Sequence, residues 1–422
     1  IFLSPGGFPT FSLGYGAFRV GRMLRRSFTQ VLRNLGPAAA SVAFMNQEFR
    51  GNSTSTASGY HPSAGIPVGS KIALADTHIF PTCEKPSFEE FTSFETYIFD
   101  CDGVIWGISD EDSKTSVATV NYLLRLQKRV MFVTNNSNKT RAQFVQQLES
   151  KGVNFGNRSQ EQKLSMMISA SYTTAAFLQD SGLQRPFIIT SDTGVLEECR
   201  MLGITDYFAT VADDGKPAAL FHKLDMCSAA DVIKQRPNVD SIVVGWDMQL
   251  TALKVGTAVN YIKWHEDLHA SEPGYKEMPL IACSGDTGGV LGKTTHLGKE
   301  LKLRAIGNGA MADIIARSFD PPKIWVDMGK PSDALLLLLR SPHAYNVDLS
   351  KALMVGDTLQ TDIVFGNRGG MKTLLVLTGV TSQMELDEEL RSSGPSVRRP
   401  TYVLPKLGSF VDSGQIARVD KV

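Results

Sequence analysis

Short apolar runs recur along the chain from about residue 95, and most of them close on a small polar or acidic cluster. Tyr97-Ile98-Phe99, Val130-Met131-Phe132-Val133, Phe187-Ile188-Ile189, Ile242-Val243-Val244, Leu280-Ile281-Ala282, Ile324-Trp325-Val326 and Leu353-Met354-Val355 are each apolar throughout. Runs of this length, without polar alternation, read as strands buried on both faces, the habit of parallel sheets. Stretch 372–378 is a further strand, and Tyr402-Val403-Leu404 with a short helix ends the ordered chain. Between the strands lie helix-period segments. One carries Val117, Val120, Leu123 and Leu124, with Ser113 as its expected cap. Others begin near Thr140 and over 194–202, 251–264 and 333–340, and one contains Ile363, Val364 and Phe365. Alternating β and α segments predict an α/β fold with a Rossmann-like, doubly wound parallel sheet.

The first 85 residues break this pattern. Residues 1–47 hold Arg19, Arg22, Arg25, Arg26 and Arg33 but no Asp, Glu or Lys. Read from Met23, Leu24, Phe28, Val31, Leu32 and Leu35 fall near one helical face, the composition of an organellar presequence. A disordered tail or translated upstream sequence is the other reading, and a start at Met45 would leave a cytosolic protein. Stretch 51–69, rich in Ser, Thr and Gly, reads as a linker.

Composition narrows the class. The 422 residues are 42% hydrophobic and 20% charged with zero formal net charge, which gives no electrostatic case for nucleic acid or an anionic membrane. No apolar run is long enough to span a bilayer, and stretch 335–339 is a core helix face. Cys83, Cys101, Cys199, Cys227 and Cys283 are scattered, which argues against a disulfide framework or a zinc site.

The polar clusters carry the candidate chemistry. Asp100 and Asp102 follow the Tyr97 strand and precede Gly103, at the strand end where open α/β sheets place ligands. Two close carboxylates predict a metal ion or a shared proton. Val104-Ile105-Trp106 is expected to form a short flap over them. Thr134-Asn135-Asn136-Ser137, between a strand and a helix, reads as an anion-binding loop or as a simple N-cap loop. About thirty residues separate Asp102 from Thr134, which fits one β-α-β crossover and no inserted domain. Lys330 follows a strand on a Gly329–Pro331 turn, where it either neutralises phosphate and carboxylate charge or lies on the surface. Asp357 ends the Leu353 strand and can stand beside Asp100. Asp362, five residues on, can orient Lys330 or a metal-bound water.

Together DCDG at 100–103, TNNS at 134–137, GKPS at 329–332 and GDTLQTD at 356–362 make the chain resemble the haloacid dehalogenase superfamily of phosphatases over roughly residues 90–411. Roughly 190 residues separate Ser137 from Lys330, where the core needs only about forty, so a second α/β domain is inserted between the second and third motifs. The expected division is extension 1–85, core 86–184, cap 185–320, core 321–411 and tail 412–422. That cap position resembles the 4-nitrophenylphosphatase and phosphoglycolate phosphatase branch, as do NNSNKTR at 135–141, VVGWD at 243–247, GNGA at 307–310 and LTGV at 377–380. The chain departs from the branch at Ala252, usually aromatic, at Ala282-Cys283-Ser284-Gly285-Asp286, usually A-T-N-x-D, and over a long stretch 287–306.

The resemblance implies Mg²⁺ on Asp100, the Asp102 carbonyl and Asp357, with Asp100 as nucleophile and Asp102 as general acid and base. It implies Thr134, Asn135 and Asn136 on phosphate oxygens, Lys330 on the developing charge, and Asp362 behind them. Small phosphorylated metabolites are the implied substrates, 2-phosphoglycolate first and 4-nitrophenyl phosphate as an artificial one. Pyridoxal phosphate and phosphoprotein are the alternatives. A dehalogenase lacks the partner supplied by Asp102, and a mutase cap has no room between the first two motifs. A non-catalytic phospho-ligand binding module predicts loss of a key residue, and all are present. The branch often dimerises through its cap, which makes helix 251–264 a candidate contact that Ala252 leaves open.

Overall fold

Strand β1 (Thr96–Phe99) lies at the centre of the principal sheet, and every residue in it is buried. The computed structural model describes residues 83–221, 227–392, 394 and 396–417. The segment following Met23, with its presequence reading, lies outside the described residues. From β1 the chain steps outward through β2 (Arg129–Thr134) and β3 (Met167–Ser169) on one side. It then leaves the sheet and builds a second one from β4 (Pro186–Ile189), β5 (Phe208–Ala209), β6 (Ser241–Val244) and β7 (Leu280–Ala282). An antiparallel hairpin follows, β8 (Gly288–His296) and β9 (Lys299–Ile306), and then β10 (Trp325–Asp327). The chain returns through β11 (Ala352–Gly356), β12 (Lys372–Val376) and β13 (Tyr402–Leu404).

The principal sheet is parallel throughout, in the order β13-β12-β11-β1-β2-β3. This is the doubly wound arrangement expected from the sequence, with the order reversing between β1 and β11. Ligands bind at such a reversal, beyond the carboxyl ends of the strands. The second sheet, β10-β7-β6-β4-β5, is also parallel and is inserted between the second and third motifs.

Alternation along each buried strand splits the core in two. Tyr97, Phe99, Val130, Phe132, Leu353 and Val355 pack on one face of the principal sheet. Ile98, Met131, Val133 and Met354 pack on the other, with Tyr172 and Ala176. Both belong to helix Ala170–Ser181, which is buried almost all round. Its Ala170, Ala175 and Leu178 pack against Ile188, Val243 and Ile281 of the second sheet. One helix therefore has apolar partners on both sides, which removes the amphipathic stripe a surface helix shows.

Local expectations changed in three places, and a fourth stretch takes on a structure that the sequence pattern leaves open. The helix expected to start at Ser113 is Asp110–Arg125, capped by Ser109, whose Oγ accepts from the Asp112 N–H at 3.1 Å. Asp110, Glu111 and Asp112 occupy its first turn, where carboxylates favour the helix dipole. Ser113 lies inside the helix and donates to the Ile105 carbonyl at 2.7 Å. Val104-Ile105-Trp106 is a buried turn rather than a flap. The strand that leads to Lys330 is β10, which pairs with β7 in the second sheet. Finally, the long stretch 287–306 is the β8–β9 hairpin, turning at Leu297-Gly298 with positive φ at both residues, as a type I′ hairpin turn requires.

Candidate active site

Asp100 is the first residue beyond β1, and its N–H donates to the Val355 carbonyl at 2.8 Å. The chain then turns tightly. The Cys101 carbonyl accepts from the N–H groups of Ile105 and Trp106, and Gly103 N–H donates to the Trp106 carbonyl at 2.7 Å. Gly103 has φ of +79°, and a Cβ there would stand 2.2 Å from Asp357 Oδ2, so both conformation and space call for glycine. The turn brings the Trp106 Nε1–H to Asp102 Oδ1 at 3.0 Å, while Thr134 Oγ1 donates to Asp102 Oδ2 at 3.4 Å. Burial raises the Asp102 carboxyl above its usual range, and the Trp106 bond partly opposes that shift.

Lys330 is 2% exposed. Its Nζ lies 2.7 Å from Asp100 Oδ1 and 2.8 Å from Asp362 Oδ1, and donates to the Val133 carbonyl at 2.9 Å. Asp100 Oδ1 and the Val133 carbonyl each accept an ammonium proton, and Asp362 stands beside them as an ion-pair partner. Burial works against the charge, but Asp100 and Asp362 outweigh it and hold the ammonium above its ordinary value. Asp362 sits in a wide turn, Leu359–Ile363, and its Oδ2 accepts from the N–H groups of Asp357 and Thr358, each at 3.1 Å. Asp357 is pinned by Val380 N–H at 2.6 Å and Thr358 Oγ1 at 2.9 Å.

Carboxylate oxygens of Asp100, Asp357 and Asp362 lie within 4.8 Å of one another. Three carboxylates thus cluster together, and two of them, Asp100 and Asp362, pair with one ammonium. Burial raises Asp100 well above the usual carboxylate range, and Asp362, Asp357 and Asp102 add to it against the pull of Lys330. Burial, then Asp362, pushes Asp357 to about 7. An excess of buried negative charge presented through hard oxygen donors fits a divalent cation of the Mg²⁺ type.

The second-motif loop behaves less uniformly. Thr134 reaches Asp102, but Asn135 turns its amide to Asp286 and to the main chain of Lys330. Asn136 Oδ1 accepts from the Asn138 N–H at 2.9 Å, within its own loop.

Sequence reasoning did not single out Trp106, Asp286 or the Val380 N–H as contributors. The last had a signal in LTGV, because a Cβ on Gly379 would stand 1.7 Å from Asp357 Oδ2. The other branch-like motifs hold the second sheet to the first or hold it together. Asn308 of GNGA donates to Ser137 Oγ at 3.3 Å, and Arg141 pairs with the fully buried Glu198 at 3.2 Å. Asp247 of VVGWD forms a buried pair with Lys254 at 2.6 Å.

Topology and site together define an α/β protein with a cluster of buried acids around a lysine at its switch point. The family model described as haloacid dehalogenase-like hydrolase matches residues 97–205, and a HAD-hydrolase-like model matches 327–410. Phosphoglycolate phosphatase 1A, chloroplastic, of Arabidopsis thaliana is 30% identical over 321 residues, spanning 76% of this chain and 77% of that protein. The 4-nitrophenylphosphatase of Schizosaccharomyces pombe is 27% identical, over 77% of this chain and 96% of its own. Among solved structures, a p-nitrophenyl phosphatase from Archaeoglobus fulgidus shares the fold, with a TM-score of 0.50 at 22% identity over 76% of this chain and 99% of that one. The chain belongs to the haloacid dehalogenase-like hydrolases, on their 4-nitrophenylphosphatase and phosphoglycolate phosphatase branch, and it is a phosphatase. No helix among the described residues is long and apolar enough to cross a membrane.

Proposed function

We propose that the protein hydrolyses small phosphomonoesters through a phosphoenzyme on Asp100, with 2-phosphoglycolate as its leading substrate. The observation that carries this reading is the Asp100 carboxylate held 2.7 Å from a buried Lys330 beside Asp357 and Asp362. An Asp100 oxygen attacks phosphorus and the ester P–O bond breaks. Asp102 gives its proton to the leaving oxygen, which its raised carboxyl equips it to do. In the second half, Asp102 takes a proton from water as the water oxygen attacks phosphorus, and the bond to Asp100 breaks. Lys330 stabilises the charge that develops on the phosphoryl oxygens. Thr134 and the main chain of Asn135 and Asn136 hold the phosphate, and Asp362 holds Lys330 in place.

Asp100, Asp357 and the Asp102 carbonyl would hold Mg²⁺. When bound, it supplies the positive charge that offsets repulsion between a phosphate dianion and a carboxylate. A cation site of this kind leaves a mark on stability. Asp357 is raised to about 7 in the folded protein, first by burial. For an acid so raised, the stabilising contribution is present below the unfolded value of about 4 and is lost as pH climbs through about 7. The rise in melting temperature on adding Mg²⁺ is therefore larger at about pH 8 than at about pH 5.5. Melts showing an equal effect at both pH values would count against the site.

The substrate ranking leans on the relatives named phosphoglycolate phosphatase, at 30% and 31% identity, over those named glycerol-3-phosphate phosphatase, at 27% and 28%. The test is Mg²⁺-dependent phosphate release from 2-phosphoglycolate, glycerol 3-phosphate, pyridoxal phosphate and a phosphotyrosine peptide, compared by kcat/KM. A higher kcat/KM for any of the other three would displace 2-phosphoglycolate. We also read the Arg-rich, acid-free segment from Met23 as an organellar presequence, in keeping with a relative named chloroplastic.

A further inference from the structure

We propose that Asp286, supplied by the second sheet, is a positioning residue for phosphate release that acts through Asn135 on Lys330. The role rests on the reading of Lys330 given above. Asp286 follows β7, and Asn135 follows β2, so the two arrive from different sheets. Asn135 Nδ2 lies 3.2 Å from each Asp286 carboxylate oxygen and 3.0 Å from the Lys330 carbonyl. Asn135 Oδ1 accepts from the Lys330 N–H at 2.7 Å. A carboxamide offers two N–H donors and one oxygen, and here both ends are engaged. The amide therefore has no donor left for a phosphate oxygen. Its work is to grip the main chain of Lys330 on both sides.

That grip depends on orientation. Turned over, the amide would set its oxygen against the Lys330 carbonyl and the Asp286 carboxylate, and its NH₂ against the Lys330 N–H. Asp286 is the charged group that selects the productive face. The carboxylate is itself held, since Ser284 Oγ donates to its Oδ2 at 3.3 Å and its main-chain oxygen accepts from Gly309 N–H at 2.9 Å. The loops meet with no slack. A Cβ on Gly329 would stand 2.8 Å from both Asn135 Oδ1 and Ser284 Cβ. At the far end of the same residue, the Lys330 ammonium sits between Asp100 and Asp362. Main-chain slack at Lys330 is carried straight to that ammonium, and misplacement by about 1 Å at a reacting centre can cost about a hundredfold.

Steady-state kinetics with 4-nitrophenyl phosphate and Mg²⁺ test this on the full chain, with thermal melts to establish folding. Asp286→Ala lowers kcat about 10- to 100-fold with little change in KM, as loss of such an outer partner does. Asp286→Asn keeps an acceptor oxygen and recovers most of the rate. Asn135→Ala loses a comparable factor, and adding Asp286→Ala to it costs nothing further, because Asp286 acts only through that amide. A folded Asp286→Ala protein with wild-type kcat overturns the proposal. So do additive losses in the double variant, or an Asp286→Asn protein no better than Ala. If Asp286→Ala does not fold, Asn135→Ala decides, and wild-type kcat there overturns the proposal. A Lys330→Met protein as active as wild type would instead bring down the reading of Lys330, and this role with it.

Discussion

Asp100→Asn yields a folded protein that releases no measurable phosphate. Asparagine keeps the shape of the side chain and an oxygen that can accept from Lys330, so the 2.7 Å contact has a substitute. What it lacks is a carboxylate oxygen able to attack phosphorus. Loss of a covalent nucleophile removes on the order of 10⁴-fold or more of kcat. Stability moves the other way. Burial and the charges of Asp362, Asp357 and Asp102 all oppose ionisation of Asp100, and the neutral amide relieves that repulsion. Asp100→Asn therefore melts no lower than wild type. Phosphate release by a pure Asp100→Asn preparation would end the assignment of Asp100 as nucleophile.

Lys330→Met damages both rate and stability. Removing a donor aimed at developing oxyanion charge costs about 10²- to 10³-fold in kcat. Removing one partner from a buried ion pair costs about 3–5 kcal/mol, because the carboxylates left behind have lost their counter-charge. Lys330 is 2% exposed, so water does not take its place. The pH dependence identifies the cause. Lys330 is what lowers the Asp100 carboxyl against burial, so without it Asp100 rises further. An acid with a raised folded value stabilises while protonated and loses that contribution as pH rises. Urea unfolding should thus show a Lys330→Met deficit that grows with pH. A deficit independent of pH would place the damage in packing rather than charge.

Much of the candidate site was legible because Asp100, Thr134 and Asp357 sit at or just beyond the ends of strands. Phe99, Val133 and Val355 are buried in apolar runs; Asp100 and Thr134 follow the first two directly, and Asp357 follows the third after Gly356. Lys330 and Asp362 were legible as residues but not as partners. Their 2.8 Å pairing depends on the wide turn at Leu359–Ile363, which the apolar pattern does not encode. The Ser109 cap was missed in favour of Ser113, although Ser109-x-x-Asp112 carries the capping signature.

The sequence by itself determined the strands, the parallel α/β class, the inserted second unit and the identity of the acids and lysine. Those follow from local composition and spacing, since a buried strand must be apolar along its own length. Only the tertiary structure decided that β10 joins the second sheet and that Asn135 grips Lys330. It also decided that Asp286 reaches across from the second sheet, and that Trp106 folds back onto Asp102. Asn135 and Asp286 lie 151 positions apart, and Asn135 and Lys330 lie 195 apart. A polar side chain takes whichever partner the packed backbones bring within about 3 Å, and at those separations the meeting is fixed by how two sheets dock, not by any neighbour in the chain.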